Sequence, residues 1–213
     1  MNICGAIMPD NISPYLKVYI TDMERGDFVV GYIGDGASAS LSAEWAAPFS
    51  GMDLGSAAGQ SIGNAVSGLP VVGGAIAGIA GMLKDMAGIA GIASTGVINS
   101  AMVWQGQQPP AFSMPIYFLA HSDAYREVQQ PIRVLQQMAS PQLKAMSPGG
   151  RVPAKVTLDI GRRIKLVNVI IQEVTYELDA PRNDDGYFIQ NSVTLQITGD
   201  TSYNRDEFES MFI

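Results

Sequence analysis

The stretch YFIQNSVTLQITG, residues 187–199, decides how the rest of the chain is read. Val193, Leu195 and Ile197 alternate with Thr194, Gln196 and Thr198. A period of two puts the aliphatic residues on one face and the hydroxyl and amide residues on the other, which predicts a strand with a core side and a wet side. Just before it, AKVTLDI (154–160) and RIKLVNVIIQEVTYEL (163–178) are rich in the β-branched and aromatic residues that suit a pleated, half-buried surface. The connection DAPRNDDG (179–186) has hairpin-loop residues, and no glutamate stands six residues after Gly186, so it lacks calcium-loop spacing.

The same pattern recurs near the N-terminus. In YLKVYITDMERGDFVVGYI (15–33), Leu16, Val18 and Ile20 alternate with Tyr15, Lys17 and Tyr19, and residues 28–33 form the natural hairpin partner across DMERGD. Between the two β-rich ends, residues 115–120 predict a further strand. Val128, Ile132, Leu135 and Ala139 then mark one side of a helix. Pro131 lies within that helix and either kinks it or sits in its first turn. SPGGRVP (147–153) is a loop. The expected class is mainly β with one helix and a Gly/Ala-rich helical insertion, an α+β chain in which residues 1–50 and 104–213 form one β-domain and residues 51–103 interrupt it.

That insertion carries charge only at Asp53, Lys84 and Asp85. Across residues 69–98 its ten Leu, Ile and Val side chains favour bilayer insertion by roughly 0.3 to 0.6 kcal/mol each, while Lys84 and Asp85 at the midpoint oppose it by about 2.5 to 3.5 kcal/mol each. The sums cancel, so a single transmembrane helix is not expected. A helical hairpin with the two charges at its tip escapes that cost, and keeps open a membrane-active ejection or pore-forming protein inserting residues 68–96. The pattern nevertheless has sides. Val72, Ile76, Ile79 and Leu83 recur at helical spacing, and Gly74, Gly78 and Gly81 recur beside them. An aliphatic stripe next to a glycine stripe predicts close packing against another helix or subunit, because a glycine-rich helix costs about 1 kcal/mol per glycine without such packing.

The chain has 213 residues, 13 basic against 20 acidic, and a net charge of -7. That balance disfavours a protein whose task is to grip nucleic acid or an anionic membrane, while it suits a surface past which DNA slides. Cys4 is the one cysteine, which excludes an internal disulfide, and the N-terminus lacks the basic region of a secretory signal, so cytoplasmic synthesis is expected. His121 is the one histidine, followed by Ser122 and Asp123. Catalytic triads meet through the fold rather than by adjacency, so the triplet predicts a helix cap rather than a nucleophile. Gly34, Gly36 and Ala39 match a dinucleotide-binding spacing, but no helical stripe follows, and Asp35-Gly36 reads as a tight turn. No cofactor, no metal set and no enzyme activity are expected. Arg151, Lys155, Arg162, Arg163 and Lys165 cluster around Asp159, whereas from Glu177 onward eight acids, Asp184 and Asp185 among them, face two arginines. Opposite charges on two surfaces predict docking between neighbouring copies.

VWQGQQPPAFSMPIYFLAHSDAYREVQQPIRVLQQMASP (103–141), with IGRRIKLVNVIIQEVTYEL and GYFIQNSVTLQITGD, resembles the tube-type proteins of contractile phage tails. It is most similar to the baseplate proteins that start or cap the tail tube. The shared pattern is Trp-Gln-Gly, a strand, a helix with an internal proline, and two long strands around an acidic hairpin, mainly over residues 104–199. The resemblance implies a tail-tube-like β-sandwich or barrel in a homohexameric ring, stacked coaxially on the tail tube protein and on baseplate hub or wedge proteins. It also implies DNA passing through the lumen without specific binding, no stable membrane insertion and a place in the virion after assembly in the host cytoplasm. The family has no catalytic residues to carry over, and a plain tube subunit lacks the Gly/Ala-rich insertion.

Overall fold

The alternation in residues 190–199 becomes strand β10 of the computed structural model, which describes residues 2–7, 10–47, 102–143 and 152–213. In chain order the strands are β1 (Ile3–Gly5), β2 (Lys17–Asp22), β3 (Phe28–Ile33), β4 (Ser38–Ser40), β5 (Ala43–Ala46), β6 (Val103–Gln107), β7 (Ala111–Leu119), β8 (Val156–Ile160), β9 (Ile164–Tyr176) and β10 (Gln190–Gly199). Helix α1 (Gln130–Ala139) lies between β7 and β8, and α2 (Glu207–Met211) follows β10. The chain divides between Ser42 and Ala43 and between Gln107 and Gln108. β5 and β6 pair with each other on the far side of that division, and all other described elements belong to the first unit.

Six strands of the first unit close on themselves. The order β3-β2-β8-β9-β10-β7 is completed by pairing of Tyr32 and Ile33 in β3 with Tyr117 and Ile116 in β7, so the result is a six-stranded barrel. β1 adds to β3 in parallel, and β4 adds to β7 antiparallel. In the β10–β7 pairing Val193 faces Ile116, Leu195 faces Met114 and Ile197 faces Phe112, all buried. Burying such apolar pairs against each other is worth about 1.5 to 3 kcal/mol per side chain and supplies the main force for closure.

β9 departs from strict alternation. Leu166, Val169 and Ile171 are all buried although the first two are three residues apart. Val156 pairs with Val169 while Leu158 pairs with Leu166, so β9 has one residue more than β8 in this interval, and Asn168 takes a left-handed backbone with φ 60°. A second irregularity lies opposite Gln196 and Ile197, which pair with Glu173 and Ile171 and leave Gln172 over. Each extra residue is a β-bulge, which bends a strand and increases its twist. Two bulges curve β9 so that it serves both β8 and β10 in a closed wall.

Helix α1 touches β9, β1 and β3. β3 and β9 stand opposite each other in the ring of six, so a helix that meets both lies across an open end of the barrel. Val128, Ile132, Val134, Leu135 and Met138 are buried there in the same core as the inward strand residues. A π-helical turn at Tyr125–Gln129 precedes the helix, and Pro131 falls in the first regular turn, where its missing N–H costs nothing.

Several expectations change. Tyr15 and Leu16 belong to a 3-10 turn (Pro14–Leu16) and Leu16 is exposed, so the strand begins at Lys17. The entry to β7 contains strand β6, and β7 starts at Ala111. The short α2, anchored by buried Met211, was not expected after β10, because five residues offer too little periodicity to mark a helix. The segment after Asp35-Gly36 is strand β4 rather than a helix, which removes the dinucleotide-binding alternative.

Replacing Asn168 with valine is expected to destabilise the protein by roughly 1 to 2 kcal/mol, because a β-branched residue resists the left-handed backbone. Asn168→Gly should be close to neutral. Urea unfolding of both variants checks this, and equal loss in the two would refute the bulge argument.

Candidate functional site

The β8–β9 turn holds the basic residues. Gly161 and Arg162 are both left-handed, with φ of 56° and 52°, and the Arg163 N–H donates to the Ile160 carbonyl at 3.1 Å. Two left-handed central residues make the mirror-image turn whose twist matches a hairpin. Asp159 Oδ1 accepts the Arg162 N–H at 3.0 Å and holds a non-glycine residue in this conformation. The Arg162 guanidinium then lies over the Tyr19 ring at 4.9 Å and that of Arg163 over Tyr15 at 5.4 Å. Both arginines are exposed, as is Lys165, which stands opposite Asp159 in the strand register. Beside them the last residue is tied down by the Ile213 N–H donating to the Arg163 carbonyl at 2.8 Å. Phe212 and Ile213 are 64% and 66% exposed, so this end of the barrel is basic and apolar together.

The β9–β10 connection lies at the other end of β9. Twelve residue steps at about 3.3 Å each separate the two turns by roughly 40 Å of path along the curved strand, so they are closer than that in a straight line. The turn is closed by the Gly186 N–H donating to the Asn183 carbonyl at 2.9 Å, and Asn183 Oδ1 accepts the Tyr187 N–H at 2.9 Å. Arg182 folds back over Phe188 at 4.5 Å and donates to the Leu178 carbonyl at 3.3 Å. Asp184 and Asp185 are exposed, and among the described residues no cation pairs with them. Asn191 is buried and exchanges hydrogen bonds with the backbone N–H and carbonyl of Glu177 at 3.1 and 2.8 Å, which fixes the strands on either side of this loop.

The structure thus brings Arg162, Arg163 and Lys165 together and places Asp184 and Asp185 at the opposite end. Lys155 is drawn away into an ion pair with Asp200 at 2.5 Å, and Arg151 lies outside the described residues. Val72, Gly74, Ile76, Gly78, Ile79, Gly81 and Leu83 also lie outside them. Among the described residues no helix is long and apolar enough to cross a membrane, and no group of metal-binding side chains is present.

The His121 triplet is spread over different partners. His121 Nε2 lies 3.3 Å from the Tyr32 hydroxyl. The Ser122 hydroxyl donates to Glu127 at 2.7 Å, and Glu127 also accepts the backbone N–H groups of His121 and Ser122. Asp123 Oδ1 accepts the N–H groups of Tyr125 and Arg126 at 3.0 and 3.2 Å, which is the cap expected of it. Burial alone would raise the Glu127 carboxyl, but the hydrogen bonds from Ser122 and His121 outweigh it and hold its pKa below the usual range.

Sequence reading missed the ion pair beneath the N-terminal segment. Lys17 Nζ lies 2.8 Å from Asp10 Oδ2, with side chains 10% and 4% exposed. The Tyr32 hydroxyl donates to the same carboxylate. Burial would raise the Asp10 pKa, yet the hydrogen bonds from Lys17, Tyr32 and the Ile12 N–H, together with the lysine charge, bring it down to about 2. Burial and the neighbouring Asp10 carboxylate push the Tyr32 hydroxyl upward. Nothing in the alternation of β2 distinguishes Lys17 from Tyr19. Only the approach of Ala6 and Asp10 from the N-terminal segment makes Lys17 a buried residue.

A scan against protein-family models finds no match to this chain, and a search of curated proteins finds no significant relative.

Because the folded Asp10 pKa lies below that of an unfolded aspartate, about 3.9, its contribution is complete above that value and is lost as pH falls toward 2. Asp10→Asn should destabilise the protein by about 3 kcal/mol at neutral pH, since it leaves Lys17 buried without its counter-charge. The variant should also lose part of the acid-limb slope of stability between about pH 4 and pH 2. Thermal unfolding across pH checks both, and an unchanged slope would exclude Asp10 as its source.

Proposed function

We propose that this protein is a structural component of a contractile phage tail, a ring at the baseplate end of the tail tube that nucleates tube assembly and surrounds the DNA channel. The observation that carries the reading is that the closed barrel does not use up the sheet. β1 and β4 extend it beyond the six strands, each pairing on one side among the described residues, with exposed Ser38, Ala39 and Ser40 along β4. An unpaired strand edge is a template for a neighbour's strand, and repetition of one such contact around an axis joins sheets into a continuous wall.

Two further features support the reading. The outward residues of β10, Ser192, Thr194, Gln196 and Thr198, carry no charge, so a wall built from them offers phosphates no ionic grip. Asp10, Tyr32 and Glu127, three of the described side chains with perturbed pKa values, are engaged in structural hydrogen bonds that hold the N-terminal segment and cap a helix. The tail tube protein and a baseplate hub or wedge protein would be the ring's axial neighbours, and six copies the expected number.

Purified protein imaged by negative-stain electron microscopy, alone and with tail tube subunits from the same source, is expected to show rings and to shorten the lag before tube polymerisation. A protein that stays monomeric, leaves the lag unchanged and partitions into liposomes would overturn the proposal.

A further inference from the structure

The outer wall of the barrel beside the β8–β9 turn contains a groove of about 290 Å³ lined by Tyr19, Thr21, Phe28, Thr157, Asp159, Arg162 and Lys165. Its floor is aromatic, with Tyr19 and Phe28 stacked at 6.1 Å between centroids. Its charge is positive, because Arg162 and Lys165 outnumber Asp159. Its shape is set in advance. The left-handed Arg162 is held by Asp159 through the backbone and by the Tyr19 ring through the guanidinium. A non-glycine residue resists this conformation unless its surroundings hold it, and here they fix the guanidinium over the groove.

We propose that this groove receives the acidic Asp184-Asp185 turn of a second copy of the chain, a head-to-tail contact that gives the ring proposed above its axial or lateral neighbour of the same kind. The chemistry is complementary in three respects. The turn presents two exposed carboxylates, and the loop's own cation, Arg182, is folded onto Phe188 and does not neutralise them. Its backbone is closed by Asn183 and Gly186 before binding, so little conformational entropy remains to be lost. Exposed Tyr187 and Ile189 flank the carboxylates, and exposed Tyr15 and Ile213 flank the basic groove, so each charged centre has an apolar rim to exclude water.

A second copy is favoured because β9 separates the two elements within one chain. Held at opposite ends of β9 on a rigid barrel, the two elements cannot fold onto each other within one chain, and two different complementary patches on one molecule make a heterologous contact that closes as a ring or propagates as a stack.

The test is a charge exchange. Self-association of wild-type protein at high concentration is measured by sedimentation velocity at low and at moderate salt, beside Arg162→Glu/Lys165→Glu, Asp184→Lys/Asp185→Lys, and an equimolar mixture of the two. Association of the wild type should weaken with salt. Each double variant alone should associate about tenfold less tightly, and the mixture should recover most of the wild-type affinity, because one reversed groove then meets one reversed turn. Unfolding curves like that of the wild type show that the variants are folded, and recovery in the mixture does so independently. Absence of wild-type association, unchanged association in both variants, failure of the mixture to recover, or equal retention of wild type and Arg162→Glu/Lys165→Glu by a heparin column would overturn the contact. Rings that persist in micrographs of both variants without recovery in the mixture would reject this contact while leaving the proposed ring in place.

Discussion

Closure of the barrel depends on the curvature of β9. A thirteen-residue strand that kept perfect alternation would be too flat to serve neighbours on both sides of a six-stranded wall, and its inward and outward residues would fall out of register with β8 and β10. The bulges at Asn168 and Gln172 absorb one residue each, so that Leu166, Val169 and Ile171 all reach the core. The rest of the core follows from that register, since the β10 residues aligned by β9 are the ones that meet Ile116, Met114 and Phe112 of β7.

The same strand organises the surface. Its first residue emerges from a turn held left-handed at Gly161 and Arg162, and its last leads into the acidic loop, so one element separates the basic turn from the acidic one. Individually exposed charges contribute little to stability, but fixed in place at two ends they determine which surfaces approach each other. The buried charges do a different task. Asp10, Lys17 and Tyr32 hold the N-terminal segment against β2 and β3, and Glu127 ties the end of β7 to the helix that covers the barrel.

Much of this was legible from residue order. The alternation of Val193, Leu195 and Ile197 predicted β10, the hairpin of β2 and β3 was visible on either side of DMERGD, and the stripe from Val128 to Ala139 predicted α1. These signals are strong because a half-buried element must repeat its apolar residues at its own structural period. The clusters around Arg162 and around Asp184 were also visible as composition. The pairing of Asp10 with Lys17, the rings under Arg162 and Arg163, and the strand identity of residues 103–107 were not, because each depends on what a distant segment brings alongside.

The sequence by itself determined the class of the protein: β-rich ends, one capped helix, a net negative charge and two local concentrations of opposite sign. Tertiary structure alone decided that six strands close, which rings lie under Arg162 and Arg163, and that Lys17 is buried while Leu16 is not. The reason is physical. Periodicity and composition act over a few residues, whereas closure, register and burial are set by contacts between segments far apart in the chain, whose order no local pattern encodes.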